Sequence, residues 1–477
     1  MNSTANGASA GHRACVSSRR PRWLVLATVL MLVTGLAACT RSDDSTESGS
    51  GDEDPPSGEQ GPESDSEDAD GSIAAGEFGD LGVVCQDGEA SSASDTGVTE
   101  SQIRVGTVTD KTNDASPGVN EEMYDTAVAF AAWCNEQGGI NGRELVIEDL
   151  DAGLFNYADR IAEACSGDVF ALVGGGAVFD DADNGQRVAC GLPNIPGFVV
   201  TSGGRTADLQ VQPVPNPVGQ FSRQQYERVR ELYPDATRFG VLWAELGGLE
   251  TVHSQLVETV ESTGFEVVYD RVYAAINEQG WPNFVQEMED EEVQVVELIG
   301  EPGNMTRLLQ AMQVANWYPE IITLQPNMYD DKFEAEASES VGTTTLIRSA
   351  YPDFAMLDEL PALGDYVELM EAHNPEGKYP ALLGAQSLSA FLLFATVATE
   401  CGDDLTRQCL LDGAGAVEDW TAGGLHAPAQ PGNEQSPVCG LMMEFTPDGF
   451  AYNEEITAPD DDSIYNCDPE NVLDLEQ

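Results

Sequence analysis

Apolar and polar positions alternate along the chain in two repeated series. Residues 103–108 form a short apolar run that predicts a strand, and Met123, Ala127, Ala131 and Cys134 then recur at helical spacing. Runs at 145–150, 170–173 and 198–200 predict three more strands, with a helix marked by Tyr157, Ile161 and Cys165. The pattern restarts after Pro213, Pro215 and Pro217. Residues 239–243, 267–268, 293–299 and 321–324 read as strands. Leu249, Val252, Leu256 and Val260, then Met305, Leu308 and Met312, read as helix faces. Two β-α-β series joined by a Pro-rich link predict an α/β protein of two doubly wound, Rossmann-like lobes. Ligands of such sheets sit beyond the carboxyl ends of the strands, so two lobes side by side imply a cleft between them.

The amino terminus follows a different pattern. Residues 1–38 carry four arginines (Arg13, Arg19, Arg20, Arg22) and no acid, and an apolar run spans 23–33. That run falls short of the roughly 20 residues that cross a bilayer, and with small residues behind it reads as a secretory signal peptide. Leu36-Ala37-Ala38-Cys39 resembles the bacterial lipobox, which implies lipidation of Cys39, a membrane anchor and an extracytoplasmic location. Ser18-Arg19-Arg20 resembles a twin-arginine signal more loosely. Residues 39–75 then read as the lipidated Cys and a disordered acidic tether. Between 41 and 70 there are 12 acids, one base and mostly Ser, Gly and Pro, which repel and extend the chain.

Charge narrows the function classes. The 477 residues include 83 acidic and 21 basic side chains, a net −62. A surface this acidic repels nucleic acid and anionic lipid, so any membrane attachment is covalent or hydrophobic. A 41% hydrophobic share excludes disorder of the whole chain, and the length suits two or three domain-sized units. Removing the 12 acids and five bases of residues 1–70 leaves 71 and 16, a net −55 on a body with three lysines, Lys111, Lys332 and Lys378. We read this as adaptation to a saline habitat, where ions screen the self-repulsion. The melting temperature is therefore expected to rise from low to molar NaCl; a flat or falling curve refutes the reading.

Ten cysteines are present. Cys15 lies in the signal and Cys39 in the lipobox, leaving an even eight: Cys85, Cys134, Cys165, Cys190, Cys401, Cys409, Cys439 and Cys467. In an exported chain these read as disulfides, with 105 possible pairings. No CxxC occurs, and His12, His253, His373 and His426 lack ligand spacing, so no metal or other cofactor is expected. Outside the expected signal peptide, where Gly7-Ala8-Ser9-Ala10-Gly11 falls, GxSxG, HExxH and complete Walker motifs are missing from the sequence, which argues against an enzyme.

Several segments carry a family resemblance. Gly97-Val98-Thr99-Glu100-Ser101-Gln102-Ile103-Arg104-Val105-Gly106 resembles the first strand and lead-in of type I periplasmic binding proteins, in the branched-chain amino-acid (Leu/Ile/Val) branch. Asn135-Glu136-Gln137-Gly138-Gly139-Ile140-Asn141-Gly142-Arg143 resembles that family's turn after the first helix. Phe170-Ala171-Leu172-Val173-Gly174 and Gly191-Leu192-Pro193-Asn194-Ile195-Pro196 follow in the family's order. The resemblance spans roughly 97–460. It implies three crossings between lobes, with lobe one at 98–219 plus 349–437, lobe two at 220–348 plus 438–460, and a tail at 461–477. It also implies a monomer that traps a small solute, an amino acid or a related polar molecule, as the lobes close, and hands it to the permease subunits of an ABC transporter. A ligand-sensing lipoprotein without a permease is the alternative, and neighbouring permease and ATPase genes would separate the two. The spacing of Cys165 and Cys190 is like a disulfide of that family. The accompanying pairs are taken as Cys85–Cys134, Cys401–Cys409, which closes a short loop, and Cys439–Cys467.

Candidate ligand contacts follow from strand ends. Gly174-Gly175-Gly176-Ala177 ends a strand, and its backbone N–H groups suit a carboxylate. Phe179 stands where a dinucleotide fingerprint needs its third glycine. Thr201 and Ser202 offer hydroxyls, and Arg205 suits a ligand carboxylate. In lobe two, Glu301 stands where the family often has an aromatic residue and suits an ammonium group. Gln325, Asn327 and Tyr329 end the next strand, without the family's acid at Gln325 or Asn327. Lys111 and Asp114 follow the first strand. Trp243 and Trp281 read as core packing ahead of cleft walls.

Overall fold

A computed structural model describes residues 72–113, 117–433 and 435–475. The expected signal peptide, Cys39, most of the tether and Asp114 lie outside these residues.

Thirteen strands are described. In chain order they are β1 Gln102–Thr109, β2 Glu144–Asp151, β3 Ala171–Val173, β4 Asn194–Ile195, β5 Gln220–Ser222, β6 Arg238–Ala244 and β7 Glu266–Tyr273. They continue with β8 Val295–Ile299, β9 Ile321–Leu324, β10 Thr344–Ser349, β11 Leu441–Thr446, β12 Gly449–Tyr452 and β13 Val472–Asp474. The first sheet has the order β2-β1-β3-β4, all parallel. The second has the order β12-β11-β10-β9-β8-β6-β7; it is parallel from β10 to β7 and closes with antiparallel β11 and β12. β5 pairs antiparallel with β13. The central strands are buried on both faces, as helices covering a parallel sheet require.

The turn at 137–143 shows why its residues are needed. Gly138, Gly139 and Gly142 have φ of 100°, 80° and 82°, and a Cβ on Gly139 would lie 2.1 Å from the Arg143 carbonyl oxygen. The Asn135 amide brackets the start of β2 by bonding both the N–H and the carbonyl of Leu145, at 2.7 and 2.9 Å. Arg143 is fully buried and donates to the carbonyls of Thr99, Gly402 and Ser92. Helix Glu121–Glu136 packs on the first sheet and against helices Pro361–His373 and Leu382–Cys401. Leu382–Cys401 is apolar on nearly every face because it lies inside the core.

Three expectations change. Residues 198–200 form no strand; the strand is β4, two residues between Pro193 and Pro196, and the amides of Val200 and Thr201 are taken by the Asp180 carboxylate instead. Part of the expected tail forms β13. Ile73, at the end of the expected tether, is buried, and its carbonyl accepts the Trp133 indole N–H at 2.6 Å. Disulfides join Cys85–Cys134, Cys165–Cys190, Cys401–Cys409 and Cys439–Cys467.

Candidate functional site

The carboxyl ends of the two main sheets face a cavity of about 1000 Å³. Val178, Phe198 and Arg205 line it from the first sheet's side, and Glu301, Gln325 and Asn327 from the second. Pro215, Asn216, Gln220, Ser349, Ser436 and Pro437 line it as well. Much of the wall is aliphatic, including Leu154, Val199, Leu249, Ile299 and Leu382.

Of the residues expected from sequence, the structure brings Arg205, Glu301, Gln325 and Asn327 to this cavity. Gln325 reaches down to buried Glu297, and Asn327 donates to the Gly300 carbonyl at 2.9 Å. The others stand apart from the wall. Lys111 pairs with Asp149 at 2.5 Å and lies over the Tyr124 ring. The Tyr329 hydroxyl donates to Asp353 and accepts from the Phe354 amide. Thr201 caps helix Ser202–Arg205 and donates to Asp180, while Ser202 faces solvent. Gly174 packs on Phe391 and Ser387, Gly175 on the backbone of Val108 and Gly176 on the Phe198 ring; Ala177 is buried. Trp281 packs on Tyr273, and Trp243 stacks on His253.

The Gly174 and Gly176 amides of the glycine turn bond the Ile195 and Val108 carbonyls, and the amide just after the turn bonds a carboxylate of the protein itself. Asp110, fully buried at the end of β1, accepts the amides of Leu154 and Val178, each at 2.7 Å. Asp180 accepts the amides of Val200 and Thr201. Burial pushes the Asp110 carboxyl up and that of Asp180 up to about 6, against the pull of these hydrogen bonds.

Sequence reasoning missed a three-residue ion cluster. Lys378 lies 2.7 Å from Asp330 and 3.3 Å from Glu122, joining helix Glu121–Glu136 to the segment after β9. Backbone pairing of Asp330 with Ala381 reinforces the link. Burial pulls the Lys378 ammonium down, but Glu122 and Asp330 outweigh it and hold its pKa above the usual lysine range. The scarcity of lysine was the available signal. Arg348 was also missed; it bonds Gln224 and the carbonyls of Pro437 and Cys439.

Several charges on the wall form no ion pair among the described residues; Glu301 and Arg205 are two of them. Glu301 is half-buried, and its carboxylate accepts no hydrogen bond from the described residues. Burial, then repulsion from Glu122, Asp110 and Asp330, pushes its pKa up to about 7, with Lys378 opposing. Arg205 donates to neutral Gln255 at 2.9 Å, while its Nε is buried without a partner. Burial lowers its pKa to about 10. Asn216 Oδ1 and Gln386 Oε1, both on lining residues, are also buried without partners. Among the described residues no group of three or more His, Cys, Asp or Glu side chains is arranged to hold a metal ion.

This architecture has relatives of known structure. A fatty acid ABC transporter substrate-binding protein from Thermomonospora curvata is 14% identical, with 81% of this chain and 97% of that one covered at a TM-score of 0.65. The leucine-binding protein LivK from Thermotoga maritima is 14% identical, covering 73% and 97% at 0.61. The branched-chain amino acid transporter substrate-binding protein LivJ from Streptococcus pneumoniae, solved with isoleucine, is 14% identical, covering 74% and 99% at 0.61. Identity this low speaks for the fold alone. No curated protein matches the chain by sequence. The sequence profile of periplasmic binding proteins, however, matches residues 102–434, which hold both main sheets except the last antiparallel strands. Matched over more than two-thirds of its length and folded as two sheets around a shared cavity, the chain belongs to the type I periplasmic binding protein family.

Proposed function

We propose that this protein is an extracytoplasmic solute receptor, held to the membrane by a lipid on Cys39, that captures a small polar solute between its lobes and delivers it to an ABC permease. The role is binding, not turnover. The observation that carries the proposal is the cavity at the facing sheet ends, with charges on its wall, Glu301 and Arg205 among them, that form no ion pair with the described residues. A buried charge without an ion-pair partner costs stability that a ligand of opposite charge recovers. The crossings at 220, 350 and 437 give the lobes a hinge about which to close. An amino acid or related molecule suits such a wall, because aliphatic side chains hold its body while the charged groups orient it.

A thermal-shift panel of amino acids, amides and small carboxylates on residues 72–477 tests this. A ligand at about 100 times its Kd adds roughly 2.7 kcal/mol of stability. If no small molecule raises the melting temperature, the receptor reading fails. Growth of the host on radiolabelled ligand, with and without Cys39→Ala, tests anchoring and delivery.

A further inference from the structure

We infer that the solute is an organic anion, a carboxylate on an apolar body without an ammonium group, held by a half-buried arginine of the cavity wall, Arg205 or Arg348. This rests on the receptor reading above and, within its panel, favours carboxylates over amino acids.

The first ground is where the scarce bases stand. Residues 71–477 carry more than four acids for every base, 71 against 16. On the cavity wall that excess is gone. Arg205, Arg307, Lys332, Arg348 and Lys378 line it, with no more than five acids beside them. The net −55 of the body therefore lies away from the wall.

The second ground is pairing. Off the wall, eight of the eleven bases form ion pairs. The other three, Arg187, Arg230 and Arg407, donate to backbone carbonyls. On the wall, Lys378 alone has acid partners among the described residues, Glu122 and Asp330. Arg205 donates to neutral Gln255, Arg307 to neutral Asn304, and Arg348 to Gln224 and two carbonyls. Asp180 acts on Arg205 without forming an ion pair, and its carboxylate already accepts the Val200 and Thr201 amides and the Thr201 hydroxyl. In a chain with acids to spare, bases left without them around one cavity suit an anion from outside, and a guanidinium fork matches a carboxylate.

The third ground is what remains once paired and exposed groups are set aside. Glu122 and Asp330 hold Lys378, so neither is free for a ligand ammonium group. Glu121 and Glu336 are exposed, as are Arg307 and Lys332, and water and salt screen all four. The balance rests on half-buried Arg205 and Arg348 against half-buried Glu301. Burial lowers the pKa of each arginine to about 10, so both stay charged at neutral pH. Burial and the repulsion of Glu122, Asp110 and Asp330 push Glu301 up to about 7, so it is protonated much of the time there. The partly buried charge of the wall is therefore positive. Phe198, Val199, Leu249, Ile299 and Leu382 offer an apolar body its contacts, in a cavity of about 1000 Å³ that is large enough for a drug-sized molecule.

The test is calorimetry of the mature protein with hexanoate, octanoate and 4-phenylbutyrate, each against the neutral amide of the same skeleton, and with octylamine and 2-aminooctanoate. We expect the best carboxylate to bind at least about tenfold tighter than its amide, and octanoate to bind tighter than octylamine or 2-aminooctanoate. Arg205→Gln or Arg348→Gln should abolish the preference for carboxylate over amide and leave the amide's affinity at the parent's level. Melting without ligand shows whether each variant folds; Arg205→Gln, which loses one hydrogen bond to a side chain, guards against failure of Arg348→Gln. Glu301→Gln should bind the best carboxylate at least as tightly as the parent. An amide, octylamine or 2-aminooctanoate binding as tightly as the best carboxylate overturns the inference. So does a carboxylate preference that survives in every arginine variant that folds, a tenfold loss in Glu301→Gln, or silence across the panel. If another small molecule then binds, the receptor reading survives; if none does, both fall.

Discussion

Glu297→Gln is expected to be more stable than the parent above pH 7, and to lose that advantage below about pH 5. Glu297 is fully buried in the middle of β8, where every neighbour on the strand is apolar. Its carboxylate accepts from the Tyr226 hydroxyl at 3.1 Å, from Thr323 at 2.6 Å and from the Gln325 amide, and it forms no ion pair among the described residues. Burial pushes its pKa from 4.5 up to about 7, although these hydrogen bonds pull the other way. Between those values the folded protein holds a proton that the unfolded chain has released, so stability falls as pH rises through the window. Above the folded pKa the full cost, on the order of 3 kcal/mol, is present; below 4.5 it is absent. A glutamine keeps the shape and cannot ionise, and its amide can donate to the hydroxyls that now donate to it. Urea denaturation of both proteins at pH 5 and pH 8 measures the difference of differences, so Glu301 and Asp180, which titrate in the same direction, cancel. An equal gap at the two pH values would refute the account.

The same residue shows where a reading of the sequence stops. The run at 293–299 announces a strand buried on both faces, and β8 is one. Nothing local says that its glutamate is held by Tyr226 and Thr323, 71 and 26 positions away. Strands with long apolar runs were legible. β4, two residues between prolines, and β13, which holds only through β5, were not. The site divides in the same way. Looking beyond strand ends locates Arg205, Glu301, Gln325 and Asn327 on the cavity wall. It fails at Thr201, whose amide Asp180 takes, and at Gly174–Ala177, where the Gly174 and Gly176 amides bond the Ile195 and Val108 carbonyls. It also misses Lys378, whose partners lie 48 and 256 positions away. Short-range pattern places the backbone; long-range pairing decides which polar groups remain for a ligand.

Removing the Cys85–Cys134 bridge, as Cys85→Ala with Cys134→Ala, is expected to lower stability by about 4 kcal/mol, the chain-entropy value for a loop of this length. The two cysteines are 49 positions apart and both are buried, in the same apolar cluster as Phe78 and Phe130. Cys401–Cys409 closes a separation of 8, for which the same relation gives about 2.5 kcal/mol. Guanidinium denaturation of the two double variants checks the order, and the reverse order would mean that native contacts outweigh loop entropy. The longer bridge ties the segment before β1 to the last turn of helix Glu121–Glu136, whose first turn carries Glu122 into the cleft. That helix is also held by Pro361–His373 and Leu382–Cys401, and the segment before β1 by the Gln86 amide on the Gly139 carbonyl and by the Gly79 amide on Asp365. Glu122 should therefore stay in place without the bridge. Ligand affinity, measured well below the melting temperature, should match the parent's within about twofold. A larger loss would mean that the bridge positions the cleft as well as stabilising the lobe.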